Sequence, residues 1–299
     1  RKLGKKGVSL NLGPRDGAGT MVMMKVSNGM IASWVAFFSC SLIVYFLFSD
    51  GDFSFLLTYA AMLRCFGFML LVAKIQRSKS AAGISAKTLQ CYIVVFSARL
   101  LSIMWHEGYL PYDRSGDWLY HVIEAASLCA ASVAAFLVQV KYRLTYEDNN
   151  DSFGNVPGFP AELGALCIIV PAVLLAAVFH PSLNKDWLSD TLWTYSMYLE
   201  SFAILPQLFL FQKQAVSCST VEMLIGHFVA AVGGARIIEM AFWMSSFHEL
   251  ADRYGKKHVG FIVLGTQIIH LILMADFFYF YLAGLKRGLP MQLPTGSMV

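Results

Sequence analysis

Seven ionisable side chains interrupt the long apolar runs of this chain: Arg64, Arg99, Glu124, Glu200, Arg236, Glu239 and Asp276. His121 stands one turn from Glu124. A charge inside an apolar run costs at least about 2.5–3.5 kcal/mol to insert in a membrane and faces a bundle interior or a wet cavity. Guanidinium groups in such a place grip a carboxylate or phosphate with paired donors. Glutamates there can receive a basic group. The chain shows no nucleophile with an arranged base, no HExxH, no metal-ligand spacing and no phosphate loop. The pattern points to ligand binding rather than to an enzyme, and it implies no cofactor.

The spacing predicts which of these groups share a helix face. Arg236, Glu239 and Trp243 follow i, i+3, i+7, and Arg99, Ser102 and His106 follow the same rule. Trp193, Glu200 and Gln207 are seven apart and are expected on one face, lining a cavity. Arg236 and Glu239 can neutralise one another. Arg99 has no acid three or four residues away on its own helix, so its partner must come from elsewhere. At 1.5 Å per residue Arg99 lies about 16 Å from one end of its span, Arg64 a similar depth from the other end, Glu200 roughly 12 Å and Arg236 roughly 20 Å in. Asp276 falls much nearer the cytosolic side. Pro206, inside the sixth run, frees a backbone carbonyl and allows a bend.

The elements that must position these groups are membrane spans. Of the 299 residues, 57% are hydrophobic and 14% charged, against about 25% charged in a soluble domain. Eight runs are long enough to span: 30–48, 53–74, 88–106, 118–140, 161–179, 192–212, 223–244 and 258–282. With the N-terminus in the cytosol, fifteen basic residues fall on the cytosolic side and five (Arg114, Lys185, Arg253, Lys256 and Lys257) on the other, which favours both termini in the cytosol. The net charge of +4 is thus a topology signal and marks no nucleic-acid surface. The six cysteines read as small packing residues without a disulfide framework. The run 30–48 reads as a retained anchor rather than a cleaved signal. Residues 1–29 are expected to be a disordered basic tail. "TYEDNNDSFGNVPGFP" (145–160) divides the later helices. A faint repeat relates 79–99 to 213–236: each has a lysine, a small-residue turn and a span carrying a deep arginine. Gly233-Gly234 suits close helix packing.

"WTYSMYLESFAILPQLFLFQK", "KIQRSKSAAGISAKT", "VVFSARLL", "YRLTYEDNNDSF" and "ADFFYFYL" occur in this order. Together they resemble the KDEL receptors, the ER lumen protein-retaining receptors, over residues 53–288. The resemblance implies an all-α polytopic fold: seven helices in two triple-helix bundles of SWEET-like, PQ-loop type. This chain adds one N-terminal transmembrane helix (30–48) and a tail, 289–299, as in a longer receptor-like subgroup. It implies residence in ER and Golgi membranes, with coat machinery at the cytosolic face. It also implies capture of lumenal proteins by their C-terminal Lys-Asp-Glu-Leu or similar, favoured at acidic pH.

The family's site residues carry over to Arg99, which would grip the ligand's terminal carboxylate, and to Asp190, Trp193, Glu200, Arg236 and Trp243. Other positions depart. A family arginine falls at Leu57, the pH-sensing histidine at Arg64 and an aspartate at Ser102. Two tyrosines fall at Ala235 and Glu239, and a second arginine at Ser246. Arg64, Ser102, Glu239 and Ser246 are therefore candidate switch or altered-recognition positions, and an altered signal and pH preference are expected. A small-solute transporter of SWEET type, or a receptor-like trafficking protein that no longer binds the signal, are the alternatives.

Overall fold

The structure, a computed structural model, describes residues 28–49, 53–105, 117–158, 160–183, 186–218, 222–248 and 258–287. Most of the basic tail, the C-terminal tail, His106 and the five basic residues expected on the lumenal side lie outside them.

Among the described residues seven helices are long and apolar enough to cross a membrane. They are α1 (Asn28–Phe48), α2 (Phe55–Ser78), α3 (Ala86–Trp105), α4 (Asp117–Phe136), α5 (Leu166–Val178), α8 (Met223–Ser245) and α9 (His258–Arg287). A π turn, Leu137–Lys141, prolongs α4, and a short 3-10 turn, Ala161–Leu163, precedes α5. The expected sixth span, 192–212, is instead two helices, α6 (Trp187–Phe202) and α7 (Leu205–Cys218). The break at Ala203–Ile204 has a local cause. Pro206 has no amide hydrogen, and its ring would collide with the carbonyl four residues back, that of Phe202. Placed in the first turn of α7, the same proline leaves no donor unmet.

α4 packs on α2 and α3, and α9 packs on α6 and α8. These two groups of three join where α2 lies along α8 and α3 along α6, with α5 against α6. Gly233 permits the contact of α8 with α9, since a Cβ there would meet Met274 Cε and Phe278 Cζ at 2.5 Å. α1 leans on this body by an aromatic seam and, at its other end, through Tyr45 on Phe55 and Phe48 on Trp118. Phe37 stacks on Phe66 at 4.6 Å, and Trp34 meets Phe66 and His227 edge-on. Ala235, where a family tyrosine was expected, is buried in this seam. The rest of α1 exposes Ile31, Val35, Leu42 and Phe46, as a lipid-facing helix does.

The loop 145–160 is clamped to the start of α3. Lys87 Nζ donates to the carbonyls of Asp151 (2.6 Å) and Phe153 (2.7 Å) and to Asn155 Oδ1 (2.7 Å). The buried Asp151 carboxylate accepts from the Ala86 amide at 2.9 Å, from Ser85 Oγ and from the Tyr146 hydroxyl. Burial, and then the Asp151 charge, hold the Tyr146 phenol well above its usual range. The loop turns at Gly154, whose φ is +67° and where a Cβ would lie 2.3 Å from the Gly164 carbonyl oxygen. Gly154→Ala is therefore expected to cost about 1–3 kcal/mol. A thermal unfolding curve in detergent checks this, and an unchanged midpoint would overturn it.

Three of the cysteines expected to pack inside, Cys40, Cys129 and Cys167, are exposed on outward faces, while Cys65 and Cys91 are buried.

Candidate functional site

Six of the seven intramembrane charges meet in one place. Arg64 of α2 is the hub. Its Nη1 donates to Glu200 Oε1 at 2.7 Å and to Glu239 Oε1 at 2.6 Å, and its Nη2 to Glu124 Oε1 at 2.6 Å. It thereby ties α2 to α6, α8 and α4. Arg99 of α3 donates to Glu200 Oε2 through Nη2 and, at 3.4 Å, to Glu124 Oε1 through Nη1. Arg236 of α8 pairs with Glu200 Oε2 and Glu239 Oε2, each at 2.7 Å. Gln267 of α9 accepts from Arg236 and donates to Glu239, both at 3.3 Å. None of the six charged residues is more than 6% exposed.

Three guanidinium groups and three carboxylates give this network a formal charge of zero. Desolvation roughly offsets the attraction in such a cluster, so intact it adds little net stability, but removing one member strands a buried charge. Four atoms of the network stay without a hydrogen-bond partner: Glu124 Oε2, Arg64 Nε, Arg236 Nε and Arg236 Nη2, the last held only by its ion pair with Glu200. Buried groups of this kind are expensive and mark a place where a further polar ligand can be received.

Trp193 and Trp243 lie in the bundle interior, each 5% exposed. They are buried in an apolar cluster with Leu57, Ile103, Met197, Phe242, Val259 and Val263. These residues come from the ends of α2, α3, α6, α8 and α9 on one side of the network, so the cluster roofs it. Leu57, at a position where the resemblance implied an arginine, completes that roof. Asp190 is 1% exposed, and its carboxylate accepts from the Leu183 amide at 2.9 Å, which fixes the chain between α5 and α6. Ser102 and Ser189 bond reciprocally, each hydroxyl donating to the other's carbonyl at 3.0 and 3.1 Å. Ser246 is buried at the end of α8, and its amide donates to the Phe242 carbonyl.

The face shared by Trp193 and Glu200 within α6 does not extend to Gln207. The break before α7 carries Gln207 to the other end of the bundle. There its Oε1 accepts from the Ser85 amide and its Nε2 donates to the Gly83 carbonyl. A helix period cannot be continued through a turn. The pairing of Arg236 with Glu239 is present, but Glu239 is shared with Arg64. The two repeated segments are matched in space as well, since each ends in an arginine, Arg99 or Arg236, bound to Glu200.

Sequence reasoning left three members off the candidate ligand set: Glu124, Gln267 and His270. His270 is fully buried, with Nδ1 3.1 Å from the Glu200 carbonyl oxygen and Nε2 3.1 Å from Met274 Sδ. The signal for the last two was the polar group Thr266, Gln267 and His270 inside the apolar run of α9.

The sequence model of the family described as ER lumen protein retaining receptor matches residues 80–246. The chain is 32% identical over 240 residues to ER lumen protein-retaining receptor erd-2.2 of Caenorhabditis elegans, covering 79% of this chain and 96% of that protein. It is 29% identical over 230 residues to ER lumen protein-retaining receptor of Drosophila melanogaster, covering 77% and 94%. It is also 29% identical over 228 residues to ER lumen protein-retaining receptor 2 of Homo sapiens, covering 76% and 92%. The family is one of retention receptors and not of enzymes. With seven apolar membrane-length helices, two groups of three around a buried charge network and a match over more than half its length, this multi-pass chain belongs to the ER lumen protein retaining receptor family.

Proposed function

We propose that this chain binds the C-terminal signal of ER lumen proteins and returns them from the Golgi to the ER, cycling between the two membranes with vesicle coat machinery at its cytosolic face. The observation that carries the reading is the setting of Arg99. It lies beneath the Trp193–Trp243 roof, and its bond to Glu124 is, at 3.4 Å, the longest ion pair in the network. A ligand carboxylate that displaces Glu124 there accepts from Arg99 Nη1, while Nη2 stays on Glu200. Glu124 keeps its shorter bond to Arg64 when it yields. Recognition beyond the carboxylate differs from the pattern the resemblance implies, because Leu57, Ser102 and Ser246 are packed or hydrogen-bonded neutral groups. An altered signal preference follows.

The test is binding of a C-terminal tetrapeptide library to the purified protein at about pH 5.5 and about pH 7.2, the range across which a histidine changes charge and an arginine does not. Binding lost in Arg99→Ala and flat between the two pH values is the expected result. A steep rise toward acid centred near about pH 6 would count against Arg64 as a fixed charge at the switch position. The occupied donors of Arg99 favour a second reading, a receptor-like trafficking protein that no longer binds the signal. Absence of binding at both pH values would select it, or the transporter reading if solute flux appeared in liposomes.

A further inference from the structure

Asp276, the seventh intramembrane charge, takes no part in the network. It lies on α9 in a cavity of about 300 Å³ between α7 and α9. Phe153, Phe209, Phe277 and Phe280 line this cavity, and among the described residues its only polar side chains are Asp276 and Gln212. Asp276 is exposed, and its carboxylate has no hydrogen bond or ion pair among the described residues.

The depth of the cavity can be read from its neighbours. Phe153 belongs to the clamped polar loop, and its ring meets Phe209 edge-on at 5.9 Å. The Phe153 carbonyl accepts from Lys87, and Lys213, one turn beyond Phe209, donates to Ser152. Lys213 Nζ also sits 5.4 Å from the Phe209 ring centroid. The mouth is therefore level with a row of lysines and loop polar groups, at the boundary between hydrocarbon and water.

The chemistry selects the occupant. An anion is repelled by the carboxylate. A divalent cation needs six or more oxygen ligands, and this cavity offers one carboxylate and one amide. A hydrocarbon chain leaves a charge against it without a partner. An ammonium satisfies the carboxylate and is also attracted by aromatic faces. At this depth ammonium groups are carried by phospholipid head groups, whose phosphate Lys213 is placed to meet. We infer that the cavity holds the ammonium of an amine-bearing phospholipid, ethanolamine or choline, against Asp276.

The experiment is native mass spectrometry of the purified full chain, titrated with phosphatidylethanolamine, phosphatidylcholine or phosphatidylglycerol of matched tails. Both ammonium lipids are expected to bind about fivefold to tenfold more tightly than phosphatidylglycerol. The preference should vanish in Asp276→Asn and persist in Asp276→Glu. Phosphatidylethanolamine acylated on its nitrogen tests the same point in the unchanged protein and should bind like phosphatidylglycerol. Equal binding of all lipids, or a preference that survives Asp276→Asn, would overturn the inference. Displacement of bound lipid by free choline or ethanolamine at equal concentration would also overturn it and assign the site to a soluble amine.

Discussion

Arg64→Leu is expected to lower the unfolding midpoint by about 6–20 °C, the equivalent of about 3–5 kcal/mol in a chain of this size. The variant leaves Glu124, Glu200 and Glu239 facing only Arg99 and Arg236, a buried excess of one negative charge. The cost is electrostatic and not a matter of lost volume, and a second variant separates the two. Arg64→Leu combined with Glu239→Gln restores two charges of each sign. Contacting groups of this kind couple by about 0.5–3 kcal/mol, so the double variant should be more stable than the sum of the singles predicts. Thermal unfolding in one detergent, read for the wild type, both singles and the double, gives the coupling directly. Strict additivity would show that Arg64 acts by packing alone.

Glu239→Gln should have the largest effect on ligand binding, on the proposed reading of Arg99 as the carboxylate grip. The closed network carries no net charge, so a peptide carboxylate entering it brings one negative charge too many. The glutamine keeps the shape and leaves one positive charge to spare. A peptide with a free C-terminus is then expected to bind at least about tenfold more tightly, a gain of about 1.4 kcal/mol. The same peptide amidated at its C-terminus should gain nothing, and equal gains for both would sink the idea. Arg64→His with Glu239→Tyr sets both positions to the residue types the family resemblance implies. Its network is neutral with the imidazole unprotonated and positive by one with it protonated. The complex then holds more protons than the free protein, so affinity rises as the pH falls through about 6.5 and is lost above it. Titration calorimetry at several pH values reads both effects.

Seven of the eight spans and the pairing of Arg236 with Glu239 were legible in the sequence, for physical reasons. Apolar length and the cost of a buried charge are properties of one segment, as is an i, i+3 contact. Partners on other helices were not. Arg64 meets Glu124, Glu200 and Glu239 across 60, 136 and 175 residues. Only the rotation of each helix decides those contacts. So Arg64 and Glu239 read as two separate departures from a pattern, whereas in space they are 2.6 Å apart and one explains the other. Gln207 misled in the opposite way. Its spacing was correct for an unbroken helix, and Pro206, one residue before it, removed the helix that the spacing assumed.

The distribution of the six network charges along the chain also bears on how the protein is made. Arg64, Arg99 and Glu124 belong to the first three-helix group and sum to one positive charge. Glu200, Arg236 and Glu239 belong to the second and sum to one negative charge. At about 5–20 residues per second, Arg64 is synthesised some 3–12 s before its first counter-charge, Glu124. The first half must wait in the membrane with a cation unmatched, and the second arrives with the complementary anion. Each half thus carries the reason the other docks, and a nascent chain stopped between them would display a single buried positive charge to whatever surveys the membrane for unassembled proteins.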